Sequence, residues 1–352
     1  MKCEFEFEEL VAAYYDCRKN KRRTDSAITF ELHLEQNLWQ LYQELTSGEY
    51  QIGRSVCFVV EKPRIREIWS AEFRDRIVHH LVYNRLSPRW NKVFVADSCA
   101  CIPGRGTKYG AERLHRHIRS YTENWKHDYF YLKCDLSNFF VSINKDVLWE
   151  LILKGMEDHP DWLIYLTKLI LYNDPTINAL FNSPKELMEK VPSNKRLLLA
   201  PKNRGLPIGN LTSQFFANIL LDALDKFIKH TLKVEKYIRY VDDLIILGKS
   251  SKELSDIHRK IKEKVLELGL LLNPKKCFIH KISRGVSFVG QTIYPFRRVP
   301  LSNTVRKYLI KLETSPTSLQ PFIAYISQSQ KSHNLINKFR EVLHEIHPIH
   351  IR

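Results

Sequence analysis

Two aspartates stand together in Tyr240-Val241-Asp242-Asp243, with apolar, strand-forming residues on both sides. Paired carboxylates on a hairpin between hydrophobic strands are poor core-fillers, because unpaired buried charge is costly. They suit the holding of divalent cations at a cleft, although a polar turn is the plainer explanation. A second acid, Asp135, closes an apolar run in Lys133-Cys134-Asp135-Leu136-Ser137-Asn138-Phe139-Phe140. The aromatics four and five residues beyond it can close a substrate pocket. Two acidic sites remote in sequence can converge on two Mg2+ ions. One ion then activates a hydroxyl nucleophile and the other holds a triphosphate and its leaving pyrophosphate. The carboxylates act there as metal ligands, not as protein acids or bases.

Those acids must be carried by strands. Tyr129 to Leu136 reads as a buried strand running into Asp135, and Tyr237–Tyr240 and Leu244–Leu247 as two short strands joined at Val241-Asp242. A further strand is expected over Val56–Val60 and another over Val286–Ile293. Helices are expected over Phe7–Cys17, Ala27–Leu45, Ala71–Leu86 with Pro88 beyond its end, and from Ala111. Others are expected near Lys145–Leu153, Trp162–Leu171 and Lys252–Leu268, and from Thr212 with Phe216, Leu220, Leu224 and Phe227 on one face. Asp97 to Gly110 and Pro201 to Gly209 are too rich in Pro and Gly for continuous helix. No internal repeat or low-complexity tract is evident.

Composition narrows the function classes. The chain has 352 residues, 44% of them hydrophobic, enough for a real core. Lys and Arg outnumber Asp and Glu by 55 to 39, a net charge of +16 that favours a polyanionic partner without separating nucleic acid from an acidic membrane surface. No apolar run approaches the roughly 20 residues that span a bilayer. The start, Met1 to Glu9, is acidic where a signal peptide is basic, so a cytoplasmic location is expected. Seven cysteines do not suggest a disulfide framework, and Cys99 and Cys101 lack a second pair at zinc-finger spacing.

Taken in order, several of these elements resemble the motifs of reverse transcriptases, from about Val60 to Val299. Arg74-Asp75-Arg76 and Gly104-Arg105-Gly106-Thr107 resemble finger motifs of prokaryotic members. Asp135 and Tyr240-Val241-Asp242-Asp243 match the two catalytic palm motifs. Leu272-Asn273-Pro274-Lys275-Lys276 resembles the palm motif that follows, and Phe288-Val289-Gly290 the turn that grips the primer. The resemblance implies an α+β right-hand polymerase: fingers, an antiparallel-sheet palm and a short helical thumb. The expected division is 1–130 for an N-terminal region and fingers, 131–174 for the first part of the palm, 175–235 for a fingers/palm connection, 236–299 for the rest of the palm with the primer grip, and 300–352 for thumb and tail. With 52 residues after Pro300, no standard RNase H, maturase or separate endonuclease domain is expected.

The resemblance further implies Asp135, Asp242 and Asp243 as catalytic ligands of two Mg2+ ions, with Mn2+ a substitute. It implies Phe139 as a gate against ribonucleotides, and Arg64, Arg66, Arg74, Arg76, Gly209, Gln214 and Lys276 as nucleotide-side positions, Lys276 lying near the leaving group. Each basic residue could instead be a solvated surface charge. Arg297-Arg298 and Arg306-Lys307 fit a tract that follows duplex phosphates.

One stretch departs from the usual pattern. Gly205-Leu206-Pro207-Ile208-Gly209-Asn210-Leu211-Thr212-Ser213-Gln214 has Ile208 where most such enzymes have Gln, and Gln214 where they have Pro. The pair resembles the reverse transcriptases of diversity-generating retroelements; Ile208 could also be a packing substitution in an accurate enzyme. That subfamily implies mutagenic copying of a structured template-repeat RNA into cDNA, with errors opposite adenine governed by Ile208 and Gln214. Retrohoming into a target gene follows. It also implies dNTP substrates, RNA–DNA duplex product, a small basic helical accessory protein forming a ring, and a prokaryotic or phage genome. The alternatives are a reverse transcriptase of antiphage defence copying its own noncoding RNA, and a nonenzymatic RNA-binding protein.

Overall fold

The computed structural model describes residues 1–19, 24–62, 64–314, 319–327, 329 and 337. Residues 20–23 and most of the expected tail therefore lie outside the described residues. Contacts divide the chain into two interleaved units. The first takes Met1–Phe94, Leu136–Asp225 and Glu263–Leu271; the second takes Val95–Asp135, Lys226–Lys262 and the described residues from Leu272 onward. The fold is α+β, with antiparallel sheet flanked by helices. Among the described residues no helix is long and apolar enough to cross a membrane.

In the first unit, Leu10, Ala13, Tyr14 and Cys17 recur at helical spacing along Phe7–Arg18 and are buried. That face packs on the helix Phe73–Val93. A small sheet is formed by β1 (Val56–Val60), β2 (Arg66–Ser70) and, later in the chain, β4 (Leu180–Phe181), in the order β2-β1-β4. Two helix boundaries differ from the sequence expectation. The Ala27–Leu45 pattern is two helices, Asp25–Glu31 and Leu34–Ser47, broken where His33 leaves helical geometry. The helix expected to end before Pro88 runs through it to Val93. Its last turn is held by buried Trp90, whose ring lies where a side chain on Gly155 would stand, so packing outweighs proline's missing donor.

The second unit holds the sheet that matters most. Its strands are β3 (Phe130–Asp135), β5 (Tyr237–Tyr240), β6 (Asp243–Gly248) and β7 (Phe278–Lys281), all antiparallel in the order β5-β6-β3-β7. A separate antiparallel sheet contains β8 (Val286–Phe288), β9 (Gln291–Ile293) and β10 (Arg298–Pro300). The single strand expected over Val286–Ile293 is thus a hairpin, because Val289 and Gly290 both adopt positive φ, 41° and 83°. Paired positive φ is the two-residue turn whose twist suits antiparallel strands. The helix Thr107–Tyr121 starts four residues earlier than expected, and its Ala111, Leu114 and Ile118 join Tyr131, Ile238, Ile245, Leu247 and Phe288 in one core.

Candidate active site

The sheet register brings the acids together. Asp135, the last residue of β3, is the cross-strand partner of Asp243, the first of β6. Asp242 sits beside them in the Val241-Asp242 link between β5 and β6, where Tyr240 pairs with Asp243. Val241 holds φ at 54°, rare for a β-branched side chain. Backbone strain of this kind persists where the surroundings enforce it. Here the enforcing group is Arg239, fully buried in β5, whose guanidinium donates to Val241 O at 3.1 Å and to Ser98 Oγ at 2.8 Å.

Two lysines pair with two of the acids. Lys276 Nζ donates to both oxygens of Asp135, at 2.7 and 2.8 Å. The same strand end is tied by Asn273 N–H to Asp135 O at 2.8 Å. Lys133 Nζ reaches Asp243 Oδ2 at 2.9 Å and Ser287 O at 2.8 Å, so one ammonium joins the acidic centre to the β8–β9 hairpin. Burial raises the Asp243 carboxyl to about 6; Lys133 opposes that rise, and the Asp242 and Asp135 charges add to it. Lys133 is the residue sequence reasoning missed. It lies two positions before Asp135, and strand alternation alone places the two on one face.

A divalent ion fits these groups. Asp243 Oδ1 is buried and accepts no hydrogen bond, although a buried carboxylate oxygen without a partner is costly. Three converging carboxylates are the hard oxygen donors that Mg2+ takes, and two of them are paired with Lys276 and Lys133.

The hairpin expected to grip a primer is formed by Phe288-Val289-Gly290. Phe288 is buried in the core, and Gly290 O accepts from Leu301 N at 3.1 Å and from the Tyr325 hydroxyl. In the basic tract, Arg297, Arg306 and Lys307 are exposed. Arg298 is not: it is buried, 3.7 Å from Glu112, and so does not offer a surface charge to phosphates. Arg105 of the Gly104–Thr107 loop bonds Val95 O at 2.6 Å and Ser98 O at 3.0 Å.

The remaining expected positions lie in the first unit. Phe139 is buried in the short helix Phe139–Ser142, 5.2 Å from the Phe140 ring. The next segment of that unit runs alongside: Leu206 N donates to Phe140 O and Gly205 N to Ile143 O, both at 2.8 Å. It then meets β2, where Trp69 N donates to Ile208 O at 2.7 Å. Ile208 is half-buried, Gly209 exposed, and Gln214 exposed on the first turn of the helix Leu211–Lys226. Gly209 has φ 134°, and a Cβ there would stand 2.8 Å from Trp69 O, so the approach of these two backbones requires glycine.

Arg64 and Arg66 are exposed at the β1–β2 connection. Arg74 is ion-paired with Glu44, and Arg76 Nε donates to Ala71 O at 2.7 Å. Despite their two-residue separation, both line one cavity of about 380 Å3 with Glu44, Glu72 and Phe30. Between them Asp75 is fully buried, accepting from Tyr50 Oη at 2.7 Å and Gly53 N at 2.9 Å, an anchoring role.

Fold and site together define an α+β protein with an antiparallel sheet that gathers three carboxylates at one end. The family profile of reverse transcriptases (RNA-dependent DNA polymerases) matches residues 60–293, about two thirds of the chain, and the protein belongs to that family. Among solved structures, apo telomerase from Candida tropicalis truncated of its C-terminal domain superposes with a TM-score of 0.51 at 14% identity, covering 71% of this chain and 54% of that one. Telomerase from Candida albicans in complex with a fragment of telomeric RNA gives 0.49 at 14% identity, covering 79% and 55%. The chain therefore spans about half the length of these structures, and at 14% identity the first likeness shows the fold alone. A search of curated proteins returns no match.

Proposed function

We propose that the protein is an RNA-directed DNA polymerase of the diversity-generating retroelement type, with a right-hand arrangement of fingers, palm and thumb. The observation that carries the polymerase reading is the pairing of Asp135 with Asp243 beside Asp242 at one sheet end. Divalent ions bound there supply the charge neutralisation that nucleotidyl transfer to a primer 3′-hydroxyl needs. Asp135 and Asp242 hold the ions, and Asp243 completes the acidic centre. Lys133 holds Asp243 in place against its neighbours' repulsion. Lys276 keeps a positive charge beside Asp135, where pyrophosphate negative charge develops. Phe139 excludes the ribonucleotide 2′-hydroxyl, and the exposed cations Arg64, Arg66, Arg297, Arg306 and Lys307 meet backbone phosphates.

The retroelement reading rests on Ile208 and Gln214 standing in for Gln and Pro. On this reading the template is a structured template-repeat RNA, and a small basic ring-forming accessory protein assists. The test is to copy a defined template-repeat RNA with the purified protein, with and without that accessory protein, and sequence the cDNA. Errors concentrated at template adenines support the proposal. Uniformly accurate cDNA in both conditions refutes the retroelement part and leaves the polymerase, as expected for a defence enzyme copying its own noncoding RNA.

A further inference from the structure

Sequence spacing offers no zinc motif, yet the fold assembles one set of metal ligands from three remote segments. Cys134 precedes Asp135 in β3, Cys277 follows Lys276 and immediately precedes β7, and His258 lies on the helix Ser251–Glu267. The β3–β7 register pairs Lys133 with Phe278, so continuing it by one residue sets Cys134 opposite Cys277. Strand alternation puts Cys134 on the face opposite to Lys133 and Asp135. The ligand atoms of Cys134, Cys277 and His258 all lie within 4.8 Å of one another. None of the seven cysteines forms a disulfide.

We propose that Cys134, Cys277 and His258 form a zinc site on the back of the catalytic sheet, with a solvent molecule as fourth ligand. Ligands around tetrahedral zinc stand about 3.5–3.8 Å apart, from bond lengths of about 2.3 Å to sulfur and about 2.0 Å to nitrogen. Closing from a spread of 4.8 Å asks only for rotamer adjustment and a small strand shift. Two thiolates and an imidazole select a softer ion than the acidic centre does, so the two sites do not compete for one metal. Binding releases the two thiol protons to solvent and leaves a neutral imidazole, a complex of zero net charge. Cys134 is buried whereas Cys277 and His258 are half-buried, which gives the ion a route from solvent. The ion would join β3 and β7 next to Asp135 and Lys276, fixing from behind the two strand ends that carry them.

The experiment uses the full chain, stripped with a chelator and titrated with Co2+ in the presence of excess Mg2+ to occupy the acidic centre. The expected result is a thiolate-to-cobalt charge-transfer band with tetrahedral d–d absorption, saturating at one equivalent and removed by Zn2+. Cys134→Ser and Cys277→Ser each lose or sharply reduce the band, and His258→Ala weakens Co2+ binding by about tenfold or more. Cys101→Ser and Asp242→Asn keep it. The unmodified chain gives a second readout that needs no variant: Zn2+ slows alkylation of half-buried Cys277, followed by peptide mass spectrometry, but not of exposed Cys101. Absence of a thiolate band in the unmodified chain, or no zinc protection of Cys277, overturns the proposal.

Discussion

Replacing Asp97 with Asn should lower the stability of the second unit by about 2 kcal/mol at neutral pH, with a particular pH dependence. Asp97 is buried beneath three cationic or protonatable groups: Arg113 Nε at 2.5 Å, His117 Nε2 at 2.9 Å and Lys229 Nζ at 3.3 Å. Burial alone would raise its carboxyl, but hydrogen bonds from His117 and Arg113 outweigh that and hold it down at about 2. The gap from an ordinary aspartate, at about 1.4 kcal/mol per tenfold change, corresponds to about 2 kcal/mol. Because the folded-state value is depressed, this stability is fully present above the unfolded-state range near 4. It is lost as pH falls through about 2. Asp97 also bears on the hairpin that carries Asp242, since its carbonyl accepts from Arg239 N at 2.9 Å and Arg239 holds Val241. The assay is urea unfolding of both proteins by circular dichroism from pH 7 down to the acid limit of the fold. The deficit of Asp97→Asn should not shrink between pH 7 and about 5 and should shrink below about 4. A deficit under about 0.5 kcal/mol, or one that does not change as the pH drops below 4, would refute this electrostatic reasoning.

Gly209→Ala should cost about 1–3 kcal/mol of stability, read as a lower urea midpoint, since the new Cβ meets Trp69 O in a backbone region closed to alanine. Phe139→Ala should raise the relative kcat/KM for ribonucleotides by about tenfold or more; an unchanged ratio would contradict the gate. Ile208→Gln should lower misincorporation at template adenines more than at other bases, because Gln restores a hydrogen-bonding group that Ile208 lacks. An active variant with the original adenine error rate would remove Ile208 as the determinant.

Much of the site was legible because its groups are tied to strand ends. Asp135 after an apolar run, and Asp242 between two apolar runs, can be read from alternation and turn position. Their convergence is set by register, which pairs Asp135 with Asp243 across 108 residues of chain and has no local signal. The same is true of Cys134, Cys277 and His258. Arg239 was equally hidden, since a strand arginine reads as a solvent-facing charge until Ser98 and Val241 O are found around it. Arg298 was read as a phosphate contact for the same reason and is buried. Pro88 misled in the opposite sense: proline marks helix ends by local geometry, but the burial of Leu86 and Trp90 carries the helix past it.

The most direct measurement is Mg2+-dependent primer extension on an RNA template by the purified protein and its Asp242→Asn variant. Circular dichroism and RNA binding serve to show that the variant is folded. Loss of one metal-binding carboxylate should remove several kcal/mol of transition-state stabilisation, a fall of at least about a hundredfold in cDNA synthesis, with folding and RNA affinity largely kept. Robust cDNA synthesis by the folded Asp242→Asn protein would contradict the assignment of the acidic centre.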